Sequence, residues 1–150
     1  MHQRLFASNR LARGQLRHDL LNPISQISGF SEMVIEDHRQ LGETGDLEKL
    51  DEVCSIAADL IGCIDAQLPV GSAHIEDAVS ETLMYQLKSC VEPAVARILE
   101  MNLERCAFAG SEPYSEDVER ILVATESLRS ILKSALDRLH AGTSLNSGAA

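Results

Sequence analysis

Apolar residues recur along this chain at steps of three and four, in four separate runs. The first run is Leu16, Leu20, Pro23, Ile27, Phe30 and Val34, and the second is Leu47, Leu50, Cys54, Ala57, Ile61, Ile64 and Leu68. A third carries Leu87, Val91, Ala94, Ile98 and Met101, and a fourth Val118, Ile121, Thr125, Leu128, Leu132, Ala135 and Leu139. Such spacing puts each set on one narrow face of an α-helix, and that face must be buried. Gly and Pro collect between the runs, at 42–45, 69–72 and 110–113. The pattern predicts helices over about 7–39, 46–68, 74–108 and 115–140. Asp46 should cap the second, and the small polar tail 141–150 should be disordered. Pro23, with no N–H to donate, predicts a bend just before it.

The fold class that follows is all-α: two antiparallel helical hairpins, 1–68 and 74–140, forming a four-helix bundle. The bundle closes either within one chain or by homodimerisation through the first hairpin. A constant offset of 71 superimposes the two hairpins without a gap, carrying Leu16 onto Leu87 and Leu47 onto Val118. Identities at that offset include Gln15/Gln86, Ile27/Ile98, Asp46/Asp117, Glu48/Glu119 and Leu68/Leu139, the mark of an internal duplication. Under it His18 corresponds to Ser89 and Asp19 to Cys90.

Composition narrows the function classes. The apolar fraction is 45%, but aromatics are 3% with no Trp, a bias toward helices. A net charge of −10 argues against a nucleic-acid partner, which needs Lys and Arg gathered on one face. One local exception is the run Arg4, Arg10, Arg13 and Arg17, with no acid before Asp19. Cys54, Cys63, Cys90 and Cys106 form no CxxC and no Cys/His cluster, so no metal is expected and they read as small buried hydrophobes in a reducing cytosol. No stretch approaches the ~20 apolar residues of a membrane span, and the N-terminus lacks a signal-peptide run. A cytoplasmic protein with no membrane contact is expected.

Chemistry concentrates in the first helix. His18 lies off the apolar seam, with Asn22 one turn on, Ser25 two turns on and Gly29 beyond, a polar strip of mostly small residues open to a partner. Phosphoryl transfer to histidine needs a neutral ring nitrogen free to attack, with the other nitrogen held by a hydrogen bond; Asp19 is the candidate holder. Imidazole suits this because its unperturbed pKa of about 6.5 leaves much of it neutral at ordinary pH. His2, His38, His74 and His140 have no such setting, and Glu32, Glu36 and Asp37 read as a solvated face.

His18-Asp19-Leu20-Leu21-Asn22-Pro23-Ile24, followed by Ile27, Gly29, Phe30, Ser31, Glu32 and Met33, resembles the H-box of the dimerisation and histidine-phosphotransfer domain of bacterial sensor histidine kinases. The resemblance covers about 13–68. It implies that His18 is the phosphorylated residue, Asp19 the acid that activates it, Asn22 the residue that orients water when a receiver is dephosphorylated, and Pro23 the source of the bend. The chain departs from the family in lacking any ATP-binding motif after Leu68, and Leu21 stands where the family often has Arg or Lys. No cofactor and no autokinase activity are therefore expected. The expected role is a two-component phosphotransfer module whose partner is a response-regulator receiver domain, or a histidine kinase acting in trans. The alternatives are a non-catalytic dimerisation or receiver-binding module of a larger signalling protein, and a receiver phosphatase.

Overall fold

The computed structural model describes residues 11–40, 47–70, 78–106 and 114–149, with side chains through Ala141. The predicted turns at 42–45 and 110–113, and the Asp46 cap, lie outside the described residues. Among the described residues four α-helices follow one another: α1 (Arg13–Gln40), α2 (Leu47–Gln67), α3 (Glu81–Glu100) and α4 (Tyr114–Ala149). A 3-10 turn, Leu103–Arg105, follows α3. Among the described residues there is no β-strand, only one isolated antiparallel bridge between Ala12 and Ala78.

Each helix packs mainly against two others. α1 meets α2 and α4, and α3 meets the same two, so the helices follow chain order around the bundle and α1 stands diagonal to α3. Contacts at the helix ends fix the directions. Arg17 near the start of α1 reaches Leu68 just past the end of α2, and Lys49 near the start of α2 donates to the Met101 carbonyl past the end of α3. His38 near the end of α1 packs on Tyr114 at the start of α4. The chain therefore runs up, down, up and down, and the bundle closes within one chain around a single apolar core.

The apolar runs supply that core with small shifts of register. In α2 the buried residues are Val53 and Leu60 where the spacing pointed to Cys54 and Ile61, which are half-buried. In α1, Ile24, Ser31, Ile35 and His38 join the predicted seam, while Phe30 is only half-buried. The face is wider than a two-chain coiled-coil seam because α1 is covered on two sides, by α2 and by α4. Each fully buried Leu or Ile contributes roughly 1.5–3 kcal/mol, enough together to hold Pro23 inside a helix that continues through it to Gln40.

Helix ends differ from the spacing for identifiable reasons. α1 begins at Arg13, because Leu11 and Ala12 are used in pairing: the Val79 amide donates to the Leu11 carbonyl at 2.8 Å. α3 begins at Glu81, capped by Ser80, whose hydroxyl accepts from the Leu83 amide at 3.1 Å. It ends at Glu100, short of the predicted 108. Asn102 takes the left-handed conformation, φ 52°, and Leu103 behind it is fully buried, so the chain folds back onto the core. α4 passes the predicted stop at His140 and stays helical to Ala149.

Candidate functional site

α1 is amphipathic, and its core face fixes where the remaining residues point. With Leu16, Leu20, Pro23, Ile24 and Ile27 buried, the residues rotated away from them emerge on the surface: His18, Asn22, Ser25 and Gly29 are all exposed. They form one strip along the helix. A Cβ added at Gly29 would meet nothing within 4 Å, so the strip stays open there. Around its upper end is a hollow of about 320 Å³ lined by Gly14, Arg17, His18, Leu21, Asn22 and Ser25.

Arg17 forms the fixed wall of this hollow. Its guanidinium donates to Asp65 at 2.6 Å and to the Leu68 carbonyl at 2.8 Å, and its side chain is only 15% exposed. It holds the start of α1 to the end of α2, where a cation also meets the negative pole of the helix. Sequence reasoning counted Arg17 in a basic run and missed this clamp. His18 is exposed, and its imidazole faces solvent beside that anchored cation.

The predicted site residues separate here. His18 and Asn22 lie on the same strip and line the same hollow. Asp19 does not line it: neighbouring positions on a helix point about 100° apart, and the Asp19 carboxylate accepts from the Gln15 amide at 2.8 Å. Pro23 acts on the backbone, removing the amide that would close on the Asp19 carbonyl one turn earlier. Further along, Gln26 and Phe30 of α1 face Glu116, Glu119, Arg120 and Val123 of α4 across a groove of about 550 Å³. The Arg120 guanidinium covers the Phe30 ring, 5.5 Å from its centroid.

At the offset of 71 the second hairpin presents different chemistry. Ser89 is exposed and donates back to the Tyr85 carbonyl at 2.9 Å, Cys90 is half-buried, and Pro93 stands exposed where the first hairpin has Asn22. The cysteines also depart from the expectation: only Cys106 is buried, and Cys54, Cys63 and Cys90 are half-buried. Among the described residues no group of three His, Cys, Asp or Glu could hold a metal ion, and no helix is long and apolar enough to cross a membrane. Compared with protein-family models, curated proteins and solved structures, the chain matches none of them.

Proposed function

We propose that the chain is a histidine phosphotransfer module of two-component signalling, with His18 as the phosphoacceptor. The observation that carries this reading is the exposed imidazole on a strip of small polar residues, with the anchored Arg17 on one side and Asn22 one turn along. The resemblance of residues 18–33 to the H-box agrees with it. A receiver aspartyl phosphate is an acyl phosphate. The free ring nitrogen attacks its phosphorus, an N–P bond forms, and the P–O bond to the aspartate breaks, releasing a carboxylate. The proton on the other ring nitrogen then leaves to a nearby acceptor, for which Asp19 is the adjacent carboxylate once Gln15 yields it. The reverse steps hand the phosphoryl group on. With a receiver as partner, the module works in the bacterial cytoplasm.

Incubating the chain with a phosphorylated receiver tests the reading. Acid-labile label on the chain is expected, and His18→Ala abolishes it; full labelling of the variant ends the proposal. The exposure of Asn22 in the same hollow supports a second reading, receiver dephosphorylation with Asn22 orienting water. In that case Asn22→Ala slows receiver dephosphorylation more than His18→Ala does.

A further inference from the structure

α3 and α4 run antiparallel and leave a cleft of about 450 Å³ between them, more enclosed than the hollow beside His18. Val91 and Val95 of α3 and Leu132 of α4 form its floor, buried in the shared core, and Leu136 of α4 is half-buried at one end. The rim is exposed and charged. Arg129 and Lys133 stand one helical turn apart on the α4 side, with Glu92 and the small Ala96 on the α3 side. Because the helices are antiparallel, Ala96 lies toward the Arg129 end and Val91 toward the Leu136 end. At the offset of 71 the two cations stand where the first hairpin has Ala58 and Gly62, so the charge belongs to the second hairpin alone. Two cations at that spacing repel each other. Glu126 offsets part of the Arg129 charge from 3.3 Å, while Lys133 brings a compact ammonium on a flexible stem to the cleft.

We propose that this cleft binds an anionic amphiphile, a medium-chain fatty-acid carboxylate. The site is separate from His18 and independent of the phosphotransfer reading. A cleft of this size between bundle helices, mostly apolar with a few polar groups gathered on it, is the usual form of a small-molecule site. The carboxylate sits between Arg129 and Lys133, accepts from both and cancels their repulsion. Ala96, on the other wall at that end, leaves room for the head group because its side chain is a single methyl. The alkyl chain then runs toward Val91 and Leu136, covering Leu136 and the apolar stems of the two cations. Residues 129–136 span about 10 Å of helix, the reach of a chain of roughly eight to ten carbons. Glu92 lies one turn from Ala96 toward the Val91 end, where it repels a carboxylate and so fixes the direction in which the chain lies.

Titrating the full-length chain with decanoate, below its micelle concentration, should give one saturable site per chain by isothermal calorimetry. Decanol, which lacks the charge, and decylamine, which reverses it, should bind several-fold more weakly. Lys133→Glu and Arg129→Glu change exposed residues and should each weaken decanoate several-fold, whereas Glu92→Gln should tighten it. Ala96→Trp plugs the cleft, leaves both cations in place and should abolish binding; if that variant fails to fold by circular dichroism, the charge variants decide alone. No saturable heat, equal affinity for decanol or decylamine, unchanged affinity in Lys133→Glu, or full binding by a folded Ala96→Trp chain would each overturn the proposal. So would a dimer in ultracentrifugation that Ala96→Trp dissociates, since a second copy of the chain would then be what covers the cleft.

Discussion

The two hairpins of the bundle share a core and differ at the exposed positions that carry the candidate chemistry. At the offset of 71, Leu16, Leu20, Ile24 and Ile27 fall on Leu87, Val91, Val95 and Ile98, and all eight are buried. Leu47, Leu50, Val53, Ala57 and Ile64 fall on Val118, Ile121, Ala124, Leu128 and Ala135, again all buried. The surfaces diverge: His18 against Ser89, Asn22 against Pro93, and Arg17 clamped to α2 against Lys88. Burial constrains size and polarity at every turn, whereas an exposed position constrains neither, so a bundle keeps its rhythm while its chemistry changes.

The comparison breaks most decisively at the proposed phosphoacceptor, His18. One phosphoryl group per chain is expected by intact mass, and Ser89→Ala leaves it in place; a second increment, or its loss in that variant, would mean that the second hairpin carries chemistry too. Next come the paired core positions. Leu16→Ala and Leu87→Ala should each cost about 2–5 kcal/mol in urea unfolding, because each leaves a cavity in the same shared core. Costs that differ by more than the span of that range would show that equal burial hides unequal packing. The smallest contrast is at the clamp. Arg17→Ala should cost about 1–2 kcal/mol, discounted because Asp65 is 54% exposed, while Lys88→Ala should fall within about 0.5 kcal/mol of neutral.

Some features were legible in the chain because they depend on local periodicity. The seam residues of α4 from Val118 to Ala135 are buried as spaced, and His18 is exposed because it lies off the seam of α1. Other features were missed because two distant segments make them. The Arg17 clamp and the Arg97–Glu52 ion pair join residues 51 and 45 positions apart, and no local pattern encodes either. The early end of α3 had a readable signal that the apolar run concealed: Asn102 followed by Leu103 is a residue tolerant of the left-handed region with an apolar residue behind it. His38 had none. Set aside in the sequence with His2, His74 and His140, it is nevertheless 3% exposed, with its ring 4.3 Å from that of Tyr114.

The sequence alone determined that this protein is four amphipathic helices in two matching hairpins, and that one exposed strip carries a histidine and an asparagine a turn apart. Helical periodicity is a property of neighbouring residues, so it can be read without knowing the fold. Tertiary structure decided that the bundle closes within one chain and that Arg17 is anchored between Asp65 and the Leu68 carbonyl. Each of these depends on the register and rotation of one helix against another, which packing of the whole core sets.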